Sequence, residues 1–398
     1  MSDTLQRRTL FLSACAGIVV FGIVFAVLGA VFGLPAMRMR LHIDLAQQGN
    51  LLFLLYLGIF FSSLLVGPAI DHFGHKPNLF LSSVMIVLAM LVFARAESFI
   101  AAGCAAVLLG LGGGGLNTCT NVLVSELYGD RRGPMLNILG IFFGVGAISV
   151  PLLAASIEGH LSIPQLFFIC AALAAACAVA YALLSFPTAT AALAFSLGDV
   201  YEAARYDGVL LLAFVLFLES GNEASIGGWT STYVGSAGYF PRAATLVLAV
   251  FWAALMLSRL LAARLLQGIK KSRVVLANGL VSLVGCVILL SAHSLVRLFA
   301  GTALIGLSYG PIFPTTLAIA GDRYRERSGT VFGLLFSIAL VGGMLFPWMV
   351  GQLSQRVSVR AGMVVPAAGA IGITVLAGII SLRRREYAPM SKADEARL

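Results

Sequence analysis

Three ionisable side chains lie deep inside long apolar stretches of the sequence: Glu219, Glu223 and Arg259. Burying such a group in a membrane span costs at least ~2.5–3.5 kcal/mol, so each one requires a partner or a function. Glu219 and Glu223 are one helical turn apart and share a helix face, where two close carboxylates rarely both stay ionised. A carboxyl group that carries a proton in its neutral form can link proton movement to the binding of a solute.

The position of each charge along its span predicts which groups pair. Glu219 lies twelve residues after Asp207, and Arg259 lies eleven residues before Lys270, at span ends that face the same side. Because consecutive spans are antiparallel, these groups are expected at nearly one depth, and we predict a structural ion pair between Glu219 and Arg259. Glu223 is then the predicted proton carrier or direct solute ligand. The two acids can also exchange these roles.

The composition indicates that lipid surrounds the chain. Of its 398 residues, 60% are hydrophobic and 11% are charged, whereas soluble domains carry about 25% charged residues. A water-soluble enzyme is excluded. The net charge of +9 comes from Lys and Arg scattered through short loops, which does not suit nucleic-acid binding. The six cysteines lie in apolar segments without a CxxC pair and the five histidines lie in loops, so we predict no metal site and no cofactor.

Charged residues, glycines and prolines divide the chain into apolar segments of about the 20 residues that a helix needs to cross the hydrocarbon core. There are twelve: 10–36, 46–70, 78–95, 98–125, 133–157, 164–186, 208–234, 240–266, 273–292, 295–320, 328–354 and 360–382. The predicted fold is an all-α integral membrane protein with twelve transmembrane helices in two six-helix bundles. Its predicted parts are an N-terminal bundle (1–186), a cytoplasmic linker (187–207), a C-terminal bundle (208–385) and a cytoplasmic tail (386–398).

The loop charges predict the orientation. The loops on the side of the two termini hold eighteen Lys and Arg residues, and the loops on the other side hold seven. Because positively charged loops stay in the cytoplasm, we predict that both termini are cytoplasmic and that the protein lies in the inner or plasma membrane.

The two halves of the sequence repeat each other at an offset of 196 residues. The matched positions are Gly110 and Gly306, Gly114 and Gly310, Thr120 and Thr316, Glu126 and Asp322, Arg131 and Arg327, Gly133 and Gly329, Gly146 and Gly342, and Pro151 and Pro347. The offset covers six spans, so the halves have the same orientation. Such parallel repeats are typical of alternating-access carriers, whose solute site lies between the halves near the bilayer midplane.

The segment between spans 2 and 3 has the pattern G-x3-D-x2-G-x-K, formed by Gly67, Asp71, Gly74 and Lys76. It resembles the loop between helices 2 and 3 of the major facilitator superfamily. The resemblance implies the major facilitator fold and a loop that latches the two halves in one state. The second half has a weaker echo at residues 267–270, which lacks the acid.

Two further stretches resemble the fucose permease-like sugar:proton symporters of that superfamily. They are residues 219–233 in span 7 and residues 306–316 in span 10. This resemblance implies transport of a monosaccharide with a proton through a cavity lined by helices 1, 4, 7 and 10. Members of the group use acids in helices 1 and 4 for coupling, whereas span 1 here has no acid and span 4 has none before Glu126.

A sugar is a ring of hydroxyls with apolar faces, so its site needs polar side chains and an aromatic platform. The candidate solute ligands are Gln47, Asn50, Tyr56, Asn117, Asn121, Glu219, Asn222, Glu223, Trp229 and Tyr309. Several have plainer alternatives. Asn117 can bond between helices, Tyr56 can belong to the membrane-interface belt, and Trp229 can be packing.

The sequence therefore predicts a monomeric secondary carrier that imports a monosaccharide with a proton. One alternative is a proton-coupled exporter of amphipathic compounds, although Gly146 and Pro151 are not adjacent as in the helix 5 motif usual for such exporters. A second is an uncoupled sugar uniporter, and a third is a solute sensor that has lost transport. No nucleotide-binding cassette is recognisable, so transport must draw on a gradient.

Overall fold

The computed structural model describes residues 3–157, 160–187, 202, 204–206, 208–265, 268–324 and 328–382. Over these ranges the fold is helical, without strands, and twelve helices are long and apolar enough to cross a membrane. They are α1 (Asp3–Phe32), α2 (Leu45–Phe73), α3 (His75–Arg95), α4 (Phe99–Tyr128), α5 (Arg132–Ala154), α6 (Ile163–Leu183), α7 (Val209–Ser236), α8 (Pro241–Leu265), α9 (Lys271–Leu290), α10 (Leu295–Arg323), α11 (Ser328–Arg356) and α12 (Val364–Leu382). The predicted all-α fold with twelve spans is confirmed. Most of the predicted linker and all of the predicted tail lie outside the described residues, so these divisions stay predictions.

Several helices that start on the face remote from the chain ends are capped there by a side chain. Asp44 and Gln47 form a capping box at the start of α2, in which the Asp44 carboxylate accepts from the Gln47 amide at 2.7 Å. Serine hydroxyls cap the starts of α4, α6 and α10, and of the short helix Val359–Gly362 that precedes α12. These caps supply acceptors for amides that have no partner within the helix.

The two halves repeat each other in space. Gly110 on α4 packs against the Leu55 carbonyl of α2, and Gly306 on α10 packs in the same way against the Phe251 carbonyl of α8. Both pairs are 196 residues apart, as the sequence predicts. For α1 and α7 the offset is 198, because Gly146 on α5 packs on Val19 of α1 whereas its counterpart Gly342 on α11 packs on Phe217 of α7. Side chains of α1 and α7 are therefore compared below at the offset of 198.

The halves are in contact on the face remote from the chain ends. There α2 meets α11, where Gly49 and Gly351 bring the two backbones together. Hydrogen bonds join the same region, from Gln48 to Thr232 on α7 at 3.0 Å and from Gln352 to Asn50 at 3.3 Å. We call this region the remote seal.

Toward the face of the chain ends we infer a cleft between the halves, because the Arg259 side chain lies beside Phe143 of the other half and is still 31% exposed. Gly67 on α2, and Gly133 and Gly140 on α5, have open space beside them. Phe73, the last residue of α2, is 66% exposed. The conformation is therefore closed at the remote seal and open toward the chain ends.

Candidate functional site

An ion pair lies at the closed end of this cleft. The Arg259 guanidinium of α8 donates from Nη2 to Oε2 of Glu223 on α7 at 3.2 Å. The Glu223 side chain is 10% exposed and the Arg259 side chain is 31% exposed, so the pair borders the cleft. A charge pair in this position can bind polar groups of a solute.

In this structure Arg259 bonds Glu223 rather than Glu219, which is the predicted alternative in which the two acids exchange roles. Side chains on a helix lean toward its N-terminus. Because α7 and α8 are antiparallel, Arg259 leans toward the remote seal and Glu223 leans toward the chain ends, so these two groups meet. Counting residues from the span ends does not include this tilt.

Glu219 lies on α7 one helical turn closer to the chain ends than Glu223, and it is fully buried. Its carboxyl group interacts with Glu223 and Arg259, and the Ser220 hydroxyl lies 3.5 Å from its Oε2. Its other oxygen, Oε1, has no hydrogen-bond partner in the part of the chain that the structure describes. Two carboxyls and one guanidinium form a neutral group when one carboxyl holds a proton, and neutrality is what a low-dielectric site favours.

Aromatic rings from both halves meet beside the ion pair. The Phe25 ring of α1 lies 5.3 Å from Tyr56 of α2, 5.6 Å from Phe143 of α5 and 5.8 Å from Trp252 of α8, all in edge-to-face geometry. The Arg259 guanidinium lies 6.0 Å from the centre of the Phe143 ring. We call these four rings the aromatic cluster. Phe25 is its partly exposed member, whereas Tyr56, Phe143 and Trp252 are buried.

Sequence reasoning found Tyr56 but did not include Phe25, Phe143 or Trp252. A phenylalanine in an apolar span looks the same whether it packs against a neighbour or borders a cleft. The repeat contains a signal, because Phe25 occupies the position of Glu223 in the other half, and Tyr56 occupies that of Trp252. At the first of these positions one half has a ring where the other has a charge, and at the second both halves have a ring.

Asn117 and Asn121 lie on α4 and are half-buried. The Asn121 amide donates to the Asn117 carbonyl at 2.7 Å and to its side-chain oxygen at 3.0 Å. These bonds lie within one helix rather than between helices. The pair stays a prediction for solute binding from the N-terminal half.

Five other predicted solute ligands do not reach the cleft in this conformation. Gln47 caps α2, and Asn50 belongs to the remote seal. Trp229 is fully buried and donates to the Pro347 carbonyl at 3.0 Å, which makes it a packing residue. Asn222 and Tyr309 are fully buried within the C-terminal half. Helix periodicity identifies which residues share a face, but it does not say whether that face points to the cleft or to a neighbouring helix. These five residues were predicted as ligands for that reason.

The predicted gating loop forms a tight junction between α2 and α3. Gly74 adopts a φ of 80°, a conformation that favours glycine and separates the two helices. Its carbonyl accepts a hydrogen bond from Asn78 at 2.7 Å. The predicted members Asp71 and Lys76 are exposed on the face of the chain ends. A latch between the halves through this loop stays a prediction.

A family model described as Major Facilitator Superfamily matches residues 10–347 of the chain, with a second match at 213–397. "Bypass of stop codon protein 6" of Saccharomyces cerevisiae is 25% identical over 387 residues, which are 86% of this chain and 76% of that protein. An uncharacterized MFS-type transporter of Bacillus subtilis, YfkL, is 22% identical over 73% of this chain and 75% of its own length. Human Major facilitator superfamily domain-containing protein 4A is 30% identical over 36% of this chain and 28% of its own length.

Solved structures show the same fold. The nucleoside transporter NupG superposes with a TM-score of 0.77 at 13% identity, covering 95% of this chain and 99% of that chain. A bacterial homolog of the human lysosomal transporter Spinster, in an inward-facing and occupied conformation, gives a TM-score of 0.71 at 14% identity. That superposition covers 96% of this chain and 97% of that chain.

Proposed function

The chain belongs to the Major Facilitator Superfamily of multi-pass membrane transporters, and we propose that it imports a monosaccharide-like solute together with a proton. The observation that carries this proposal is the ion pair of Glu223 and Arg259 opposite the aromatic cluster at the closed end of the cleft. The loop charges favour cytoplasmic chain ends in an inner or plasma membrane, so the open cleft faces the cytoplasm.

The two sides of the site suit the two kinds of surface on a sugar. Glu223 accepts hydrogen bonds from hydroxyl groups, and Arg259 donates to ring and hydroxyl oxygens. The partly exposed Phe25 ring covers the apolar C–H face, and the buried Tyr56 ring supports it at 5.3 Å. Because the rings come mainly from one half and the charges from the other, a bound solute contacts both halves and favours their closure around it.

Proton coupling follows from the three ionisable groups of the site. When a proton binds Glu223, the carboxyl loses its charge, and Arg259 becomes available to the solute. When the solute leaves, the pair reforms and the proton is released. One proton moved through 100 mV supplies about 2.3 kcal/mol, which corresponds to roughly fiftyfold accumulation.

Nucleosides are a second candidate class of solute. They combine a sugar with a flat base, and the aromatic cluster offers a surface for stacking. The similarity of the fold to the nucleoside transporter NupG places nucleosides among the solutes to test, without choosing between them and free sugars.

The test is uptake by proteoliposomes, with a panel of monosaccharides and nucleosides and with pH gradients of both directions. We expect uptake to rise when the side remote from the chain ends is acidic. We expect Glu223→Gln to lose accumulation and keep counterflow exchange, whereas Glu97→Gln, the same change on an exposed loop residue, has no effect. Transport that does not depend on the pH gradient indicates a uniporter and contradicts proton coupling. Solute efflux driven by proton entry indicates an exporter and contradicts import.

A further inference from the structure

A second group of polar atoms lies behind the ion pair, inside the C-terminal half. Its members are the Glu219 carboxyl, the Asn222 side-chain amide and the Tyr309 hydroxyl, all on fully buried residues. Oε1 of Glu219, both polar atoms of Asn222 and the Tyr309 hydroxyl make no hydrogen bond of good geometry among the residues that the structure describes, although the Tyr309 hydroxyl is within reach of Asn222 and Cys286. Buried polar atoms left in this state are unfavourable, because they have given up their hydrogen bonds to water. We call these three residues the inner polar group.

The residues of the inner polar group are neighbours on α7 and α10. The Tyr309 hydroxyl lies beside Asn222 and interacts with Glu219 and Glu223. The Asn222 amide packs on Gly369 of α12. Glu219 therefore stands between this group and the ion pair that borders the cleft.

Few other polar or ionisable groups face Glu219. On α7 they are Glu223 and Ser220, on α8 Arg259, and on α10 Tyr309. The thiol of Cys286 on α9 lies beside the Tyr309 hydroxyl. On α11 and α12 the residues packed against this part of α7 are apolar, namely Gly342, Phe346 and Gly369. Arg259 is therefore the one cation among the described groups that face the two acids.

The repeat shows that the fold does not need polarity at these positions. The counterparts of Glu219, Asn222 and Tyr309 in the N-terminal half are Phe21, Val24 and Gly113. There Gly113 packs against Val24, as Tyr309 lies against Asn222. The same helix contacts are thus made with purely apolar groups, and the cost of the polar group indicates a function.

We propose that Glu219 holds the coupled proton in a small hydrated site formed with Asn222 and Tyr309, apart from the solute. Polar buried atoms with two to four partners in reach are where proteins keep internal water. This proposal rests on the proposed proton coupling and names the residues that hold the coupled proton.

The transfer requires one proton and no other reactant. In the conformation that is open on the remote face, the proton enters from that face onto the Glu223 carboxylate, which releases Arg259 to the solute. It then moves from the Glu223 carboxyl to the Glu219 carboxylate, where Asn222 and Tyr309 hydrogen-bond it through water, and Glu223 binds a solute hydroxyl as a carboxylate. In the conformation described here the solute leaves, Glu219 releases the proton to the cleft through Glu223, and Glu223 pairs with Arg259 again. Asn222 and Tyr309 are positioning residues in this scheme.

Infrared difference spectroscopy of the protein in liposomes tests where the proton is held. We expect a protonated carboxyl band at neutral pH that disappears in Glu219→Gln. Tyr309→Phe and Asn222→Val should shift this band, because both remove groups beside Glu219 and Asn222→Val installs the counterpart residue. Tyr56→Phe is the matched control, since it removes the hydroxyl beside Glu223 and should leave the band unchanged. A band that responds to Tyr56→Phe but not to Tyr309→Phe, or no such band, overturns the proposal.

Transport separates this proposal from the proposed function. Tyr309→Phe should lower the ratio of gradient-driven accumulation to counterflow by about tenfold or more and shift its pH profile, whereas Tyr56→Phe should lower both rates equally. Stimulation by a sodium gradient in place of the pH gradient contradicts a proton site. If the wild type exchanges no sugar or nucleoside but keeps the band and its response to Tyr309→Phe, the proposed solute is wrong and the proton site stands.

Discussion

At the scale of single residues, the site depends on a charge pair whose two members come from neighbouring antiparallel helices. Arg259 is the cation between two carboxyls, and it also lies near the Phe143 ring across the cleft. Removing one member of a buried pair leaves the other charge without compensation, which typically costs about 3–5 kcal/mol. The partial exposure of Arg259 lowers this cost, because water screens the group.

Arg259→Ala should therefore destabilise the protein, and adding Glu223→Gln should restore part of the loss. The reason is that Glu223→Gln removes the carboxylate that the guanidinium contacts directly at 3.2 Å. The measurement is the midpoint of thermal unfolding in detergent. Glu219→Gln in the same background is the control, and a larger rescue by that change would show that Glu219 is the true partner.

The sequence identifies these charges but not all their contacts. Glu219, Glu223 and Arg259 are conspicuous because lipid excludes unpaired charge. Spacing left open which acid bonds Arg259, because side-chain tilt is not visible in it, and Phe25 was missed because rings are common in apolar spans. Asn222 and Tyr309 were recognised as polar residues near midspan, yet only tertiary packing shows that they face α12 and α9 rather than the cleft.

At the scale of helices, the remote seal closes by backbone contact and neutral hydrogen bonds. Gly49 and Gly351 pack so closely that a Cβ on Gly351 would lie 2.8 Å from Cα of Gly49. Close helix approach of this kind is the usual role of glycine between membrane helices.

The number of helices was predictable from hydropathy, but the residues at which they begin and end were not. The segment predicted to begin at residue 10 begins at Asp3, because Arg7 and Arg8 are excluded from lipid but not from a helix.

Gly351→Ala should open the remote seal and favour the conformation that is open on the opposite side. The measurement is the reactivity of a cysteine introduced by Gln352→Cys toward an impermeant maleimide, which should rise several-fold. Gly140→Ala is the matched control, because Gly140 has open space beside it. Equal labelling in both variants would show that glycine packing does not hold the seal.

The same kind of side-chain contact between helix ends occurs in both halves. His75 begins α3 and bonds Glu126 at the end of α4, with Nε2 to Oε2 at 2.8 Å, while Lys271 begins α9 and pairs with Asp322 at the end of α10. Both members of each pair are related by the offset of 196 residues. Each contact joins the first turn of one helix to the last turn of the next helix along the chain, so the two halves connect these helix ends in the same way.

At the scale of the whole molecule, two similar bundles enclose a site that is not symmetric. The repeat gives both halves the same helix packing, whereas the rings of Phe25 and Tyr56 face the charges of Glu223 and Arg259. The parallel repeat was visible in the sequence as one offset. The asymmetry of the site was not, because it depends on which residues of α1 and α7 are equivalent, and that offset differs by two.

The side of the membrane from which the cleft is reached can be measured by cysteine labelling. The proposed orientation, with cytoplasmic chain ends, predicts that the cleft of this conformation is reached from the cytoplasm, where Asn117 on α4 is half-buried. A cysteine introduced by Asn117→Cys should react with an impermeant maleimide in inside-out vesicles but not in right-side-out vesicles, with Cys104, the exposed native thiol, as the background to subtract. Adding Gly351→Ala should reverse this preference, because opening the remote seal closes the opposite side in an alternating-access cycle. Labelling from the outside alone would overturn the orientation, and labelling that Gly351→Ala does not change would overturn the coupling between the two faces.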